Sequence, residues 1–408
     1  MSINMKNEII FTRLLYEKEE VRRSFITSLL KRDEYEEVLY WITEYYYSGF
    51  HKETWSLLWE VYYDFYTINY FHGEKTILHN YYWWKKENYI KYVLNVVKNL
   101  YYKRADGSIF CLKKYYEKPC ENPKGIKNKI IWKTKISTII KKFPKEIRNL
   151  LRSIDEKNYA NICYFLKKWI NKTQECYYWL CRYYFEKLDY LDENEKNKYL
   201  TVEETNNFDL STLHMKNVFK KIKYNKIHIL LSLVVYMDNA MTILDDESQN
   251  KDEPQKDEPQ IKKLKLRLVS NEKEIEYVEN LNKFEQPSHY LLKKRREFMI
   301  YDTIGFNLPR FNNIPIWEAQ RYHWIYYAYK CPLWRERINE FEGVPNHDEK
   351  TVVFPNDDKQ EEFYQKYGLE PDEQPKEIQE MSIMEINKCE LRDWFLSIFP
   401  ENNTLMEL

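Results

Sequence analysis

The chain has 408 residues, enough for two or three domains with sizeable cores, and its 64 Lys/Arg are balanced by 64 Asp/Glu. It carries 12 Trp and 37 Tyr but only seven Gly, and no two Gly lie close enough to build a phosphate-cradling loop, a nucleophile elbow or a dinucleotide site. With 43% hydrophobic residues it is not a disordered chain.

In place of glycine loops, aromatic runs recur at helical spacing: Tyr45-Tyr46-Tyr47, Tyr62-Tyr63, Tyr81-Tyr82-Trp83-Trp84 and Tyr183-Tyr184-Phe185. The expected fold is mainly α, with helices packed on helices. Residues 9–70 read as three helices. The second starts at Asp33, with Glu36 three residues on as in a capping box, and carries Val38, Trp41/Ile42 and Tyr45 on one face. Gly49 stands where a helix C′ residue belongs. The third shows Trp55, Leu58/Trp59, Tyr62 and Phe65/Tyr66 in the same one-sided stripe. Doubled aromatics put successive rings about 100° apart on a helix. One ring of each pair is therefore expected to face out of the core, where Tyr and Trp favour partner binding.

The hairpin is expected to occur twice. Tyr35-x-x-Val38-x-Tyr40-Trp41-Ile42 matches Tyr159-x-x-Ile162-x-Tyr164-Phe165-Leu166, each after a Leu-Leu pair. Ser153 with Glu156 is read as the capping box of the second copy, and Asn171 with Gln174 as the cap of its return helix. Stacked helical hairpins of the HEAT kind follow as the N-terminal architecture, over 1–244. Between the copies, turn residues at Asp106-Gly107 and Asn122-Pro123-Lys124-Gly125 suggest a short strand pair around Gly107 to Leu112 and Ile130 to Trp132.

The tandem repeat Lys251-Asp-Glu-Pro-Gln, Lys256-Asp-Glu-Pro-Gln marks a charged linker over 245–262. Beyond it a smaller α+β domain is expected over 263–408. Lys263 to Val269 alternates Leu with Lys/Arg, which is a strand pattern, and Lys273 to Val278 is its candidate hairpin partner. Helix then returns at Ile316 to Tyr329, Trp334 to Phe341 and Ile378 to Phe399.

Neutral overall charge hides an asymmetry. From Lys85 to Arg152 there are 19 Lys/Arg against 5 Asp/Glu; from Ile338 to Leu408 there are 6 against 18. Such a split suggests a face for an anionic partner and a face for a basic one, two regions that attract each other, or two solvated surfaces. The strongest functional pattern is Lys124, Lys127, Lys129, Lys133, Lys135, Lys141, Lys142 and Lys145 around Trp132 and Phe143. Dense lysine neutralises phosphates, while an accessible aromatic stacks on a base. Lys124, Lys127, Lys129, Trp132, Lys133, Lys135, Lys141 and Lys142 are the candidate nucleic-acid-binding residues. Arg is scarce among them, so backbone binding is expected over base-specific contacts. An acidic protein, or the acidic C-terminal region itself, is the alternative partner.

Other chemistries are weaker. Seven Cys are scattered without zinc spacing and are expected to be reduced and buried. His323, in Arg321-Tyr322-His323-Trp324 near Cys331, reads as a packed or hydrogen-bonded histidine ahead of a base. The acidic pairs Asp245-Asp246, Asp357-Asp358 and Asp372-Glu373 read as solvated surface, since a catalytic acid needs partial burial. No catalytic residue, metal or cofactor is expected. The longest apolar run, Ile227 to Met237, is about half a membrane span, and no secretory signal or transmembrane helix is read.

Three stretches carry a family resemblance: LLYEKEEVRRSFITSLLKRDEYEEVLYWITEYYYSG ending at Gly49, PIWEAQRYHWIYYAYKCPLWRERI from Pro315 to Ile338, and KYGLEPDEQ from Lys366 to Gln374. They resemble a family of proteins of giant viruses, the large cytoplasmic DNA viruses, whose motifs carry no known chemistry. The resemblance runs nearly end to end apart from the linker. It implies a viral source and a host-cytoplasm setting, in the viral factory. A remoter likeness is architectural, to the HEAT-type scaffold of translation initiation. That scaffold's cap-binder-recruiting pattern, Tyr-x4-Leu-hydrophobic, is not met, because Tyr89-x4-Leu94 is followed by Asn95. The function expected is a non-enzymatic viral scaffold that binds viral or host proteins, translation factors among them, and RNA. A structural component of the virion or factory is the alternative, and an enzyme of another class the third.

Overall fold

The computed structural model describes residues 9–32, 34–70, 73–117, 141, 143–155, 158–169, 176, 179–180, 231, 234, 275–276, 279, 319, 323–367 and 391–400. Among them the protein is mainly helical, with a small two-stranded sheet near the C-terminus. The chain divides into two units: one of Met1–Val61, Lys75–Lys103 and Leu266–Asn403, the other of Tyr62–Glu74, Arg104–Lys265 and Thr404–Leu408.

The first unit is built around α2 (Tyr35–Tyr47), which packs between α1 (Lys18–Lys31) and α5 (Lys91–Tyr101). From Glu37 to Tyr46 every residue of α2 is buried, Thr43 and Glu44 included. A helix buried on all sides must partner its polar groups internally. Glu44 does so with the N-terminal segment: one carboxylate oxygen accepts the Arg13 Nε–H at 2.8 Å and the other accepts the Leu14 backbone N–H at 3.0 Å. The Ser48 hydroxyl takes the Arg13 backbone N–H at 2.9 Å and donates to the Glu44 carbonyl at 2.7 Å. Residues 11–17 thus form a tight hook, closed by the Thr12 N–H to the Tyr16 carbonyl at 2.8 Å.

α2 ends as its sequence requires. Gly49 has φ +90°, and a Cβ there would lie 2.6 Å from the Cβ of Pro332. Only glycine permits both the left-handed turn and the close approach. α3 (His51–Phe65) follows directly. α9 (Trp324–Ala328) and α10 (Pro332–Glu340) complete this core, with Pro332 in the first turn of α10 where its missing N–H costs nothing. The Ser48 carbonyl accepts the Cys331 thiol at 3.1 Å, and the Trp334 indole donates to the Thr12 carbonyl at 3.1 Å. The hairpin β1 (Val344–Asn346) and β2 (Thr351–Val353) pairs antiparallel with Val344 opposite Val353. α11 (Asp357–Tyr367) contributes Phe363 and Tyr367, and α12 (Leu391–Ile398) hydrogen-bonds through the Trp394 indole to Thr27 at 3.1 Å.

In the second unit, α6 (Ser108–Glu117), α7 (Lys145–Asp155) and α8 (Tyr159–Lys168) form a small helical cluster. Ile147, Leu150, Leu151 and Ile154 are the buried stripe of α7. Phe65 stacks on Phe110 at 5.1 Å, and the Lys113 amine meets the Asp64 carboxylate at 2.7 Å inside this unit.

The three helices expected in 9–70 are present, as are the helices at α9, α10 and α12. Four local expectations are corrected. Gly107 to Leu112 is not a strand: Asp106 caps Ser108 at 2.8 Å and opens α6. Ser153 does not cap α8; it lies inside α7, bonded to the Asn149 carbonyl, and Asn158 caps α8 by accepting from Asn161. Ile275 and Glu276 are helical, against the strand expected over Lys273 to Val278. Tyr62 and Tyr63 are both buried, so that doublet presents no ring to solvent. The Lys251–Gln260 repeat, Lys263 to Val269, Ile130 to Trp132 and Asn171/Gln174 lie outside the described residues.

Candidate nucleic-acid interface

α4 (Gly73–Glu87) is an amphipathic helix whose outer side is aromatic and basic rather than simply polar. Its inner side is firmly held. Trp84 stacks on Tyr81 at 5.9 Å, packs against Trp55 at 5.7 Å, and donates its indole N–H to the Tyr46 hydroxyl at 2.9 Å. Asn80 and Asn95 join α4 to α5: the Asn95 amide donates to the Asn80 side-chain oxygen at 3.0 Å, and the Asn80 amide donates to the Thr76 carbonyl. Buried amides with one satisfied pairing fix the rotation of α4 about its axis.

That rotation decides what faces water. Lys75, His79, Tyr82 and Lys86 recur at intervals of four, three and four, so they share one outer row, with Trp83 beside it. Tyr82 is 54% exposed. The Lys86 amine sits 4.4 Å from the Tyr82 ring centre and 4.9 Å from that of Trp83, and the His79 ring meets Trp83 edge-on at 6.3 Å. Lys85 lies over Tyr81 at 4.8 Å. At the far end Asn88 takes the left-handed conformation (φ 48°) and its N–H bonds the Trp84 carbonyl at 2.7 Å. The turn brings Lys91 to 5.4 Å from the Tyr89 ring.

Basic residues dominate this stretch. From Lys75 to Lys103 there are six lysines and one carboxylate, Glu87, which accepts a hydrogen bond from the Tyr92 hydroxyl. Lys75, Lys85, Lys86 and Lys91 form no ion pair with any described residue. From Lys75 to Lys86 the helix rises about 16 Å, the span of two or three nucleotides of an extended strand. A row of ammonium groups with an accessible ring between them offers phosphate contacts and a stacking platform together.

Of the residues chosen from sequence, Lys124, Lys127, Lys129, Trp132, Lys133, Lys135 and Lys142 lie outside the described residues. Lys141 is exposed in a turn. Phe143 is corrected: it is buried, 4.7 Å from the Trp179 ring, and offers no free face. The α4 row was missed because the basic count began at Lys85. The 4-3-4 recurrence of Lys75, His79, Tyr82 and Lys86 was visible and would have located it.

The other candidate groups are engaged with backbone. His323 bonds the Lys350 carbonyl through Nδ1 at 3.0 Å. Burial pushes the Cys331 thiol up to about 12, so it donates to Ser48 as a neutral thiol. Cys111, Cys163 and Cys176 are likewise buried and form no disulfide with a described residue. Cys120, Cys181 and Cys389 lie outside the described residues. Among the described residues no cluster of three His, Cys, Asp or Glu could hold a metal ion, and no helix is long and apolar enough to cross a membrane. No protein-family model, curated protein or solved structure matches the chain.

Proposed function

We propose that this protein is a non-enzymatic scaffold that holds single-stranded nucleic acid, RNA in the first place, on the outer row of α4 while other helix faces hold protein partners. The observation that carries the reading is the pairing of an exposed Tyr82 with lysines that have no carboxylate partner among the described residues. Base stacking on an aromatic ring contributes about 1–3 kcal/mol and tolerates any sequence. The lysines from Lys124 to Lys145 extend the same charge along the chain. The giant-virus resemblance makes viral gene expression in the host cytoplasm, translation initiation included, the proposed setting. Stacked HEAT-like hairpins, with the α2 wording repeated in α8, are the finer form of the proposed fold.

The test is binding of a fluorescein-labelled 20-nucleotide oligouridine across a salt series. Tyr82→Ala should weaken it about five-fold or more, at all salt concentrations. Lys86→Glu, and separately reversal of Lys133, Lys135, Lys141 and Lys142 to Glu, should weaken it and flatten its salt dependence. Wild-type binding that ignores salt, or that Tyr82→Ala leaves unchanged, would overturn the assignment. The virion-component reading predicts instead a salt-sensitive self-association with no affinity for oligouridine, which sedimentation would detect.

A further inference from the structure

A second surface of the first unit has the opposite character. In a two-stranded sheet packed on one side, the outer side should be polar. Here the inner side holds buried Val352, while the outer side presents the directly opposed pair Val344 and Val353, 64% and 53% exposed. They border a shallow groove of about 740 Å³ that Glu342, His347, Asp348 and Phe354 also line. From Glu340 to Glu362 there are eight carboxylates and two lysines. Lys359 is taken by Glu362 at 3.2 Å, whereas Glu342, Asp348, Asp357 and Asp358 are exposed and form no ion pair with any described residue.

The groove is held in shape before anything enters it. The Asn346 side chain accepts the backbone N–H groups of Asp348 and Glu349 and donates to the Glu349 carboxylate at 3.1 Å. Tyr326 bonds His347 at 3.0 Å, and His323 fixes the Lys350 carbonyl at the other end of the turn. A preformed site saves its ligand the ordering cost. An apolar floor with an acid rim is complementary to an extended chain whose apolar residues all face the valines while the long, flexible stems of the intervening cations bend back to the carboxylates at the rim.

We infer that the Val344–Val353 groove docks a lysine- or arginine-rich extended segment of a partner protein, whose apolar residue sits on the valine pair and whose cations meet Glu342 and Asp348. This surface is separate from the α4 row and does not depend on nucleic-acid binding.

The probe is a fluorescein-labelled heptapeptide, Lys-Val-Lys-Phe-Lys-Val-Lys, followed by anisotropy against the full chain. Binding is expected, weaker in 0.5 M salt than at low salt. The Val344→Lys/Val353→Lys double variant should weaken it at least ten-fold with an unchanged circular dichroism spectrum, because both side chains are exposed. Asp348→Lys, also exposed, should weaken it separately, and saturating oligouridine should not displace the peptide. Equal binding of the acidic counterpart Glu-Val-Glu-Phe-Glu-Val-Glu, or wild-type affinity in both variants, would overturn the inference. Displacement by oligouridine would place the peptide on α4 and overturn it too.

Discussion

Helices α2 and α4 have the same raw material and opposite fates. Each carries a run of three or four consecutive aromatics, Tyr45-Tyr46-Tyr47 in one and Tyr81-Tyr82-Trp83-Trp84 in the other. α2 is covered on every side, so even Glu44 is sealed and must be answered by Arg13, Leu14 and Ser48. α4 is covered on one side only, and its surplus rings and cations face water. Aromatic content therefore does not distinguish core from surface in this protein. What distinguishes them is coverage: every residue from Glu37 to Tyr46 is buried, whereas Lys75, His79, Tyr82 and Lys86 stand on the open side of α4.

The sharpest way to break the contrast is Glu44→Ala. It leaves the Arg13 guanidinium buried without its carboxylate and the Leu14 N–H without an acceptor. The expected loss is about 3–5 kcal/mol of stability, read as a fall in the urea midpoint; a variant as stable as wild type would show that the hook is not held by this pair. Tyr82→Ala on α4 should do the reverse, shifting the midpoint by less than about 0.5 kcal/mol while weakening oligouridine binding. A strong destabilisation would show that Tyr82 belongs to the fold rather than to a ligand.

The smallest expected effect lies at His51, whose ring lies 4.3 Å from that of Tyr46 and 6.3 Å from that of Trp84, between the two helices. Burial holds its pKa below the ordinary value, against the upward pull of Glu53 and Glu336. The unfolded chain then takes up the proton more readily than the folded one, so acid favours unfolding through this group. Stability should decline as pH falls through about 6.5, the ordinary histidine value, and His51→Asn should remove part of that decline. An identical pH profile in the variant would assign the decline to other groups.

Much of the helical fold was legible because 3.6-residue periodicity survives in α1 to α3, α10 and α12, where one side of each helix meets a core. Gly49 was legible for a local reason, the left-handed turn. The hairpin was not. Its strands are three residues long, too short to show alternation, and β1 contains Pro345. The cap of α8 was misplaced because Ser153 and Asn158 are both good caps, and only the length of α7 decides between them. The basic pattern from Lys124 to Lys145 lies largely outside the described residues and did not point to α4. The decisive feature, which side of α4 faces water, depends on Asn80 meeting Asn95, a contact that spacing alone does not encode.

The bond from the Trp334 indole to the Thr12 carbonyl joins residues 322 apart in sequence. During synthesis the hook around Thr12 leaves the ribosome long before Trp334 exists. At about 5–20 residues per second the interval is tens of seconds. Through that time the Thr12 carbonyl and the Ser48 carbonyl lack their C-terminal partners, and Gly49 has no Pro332 to pack on. The first unit is therefore completed late, and a nascent chain arrested before α10 should expose residues 9–17 to protease while the finished chain protects them.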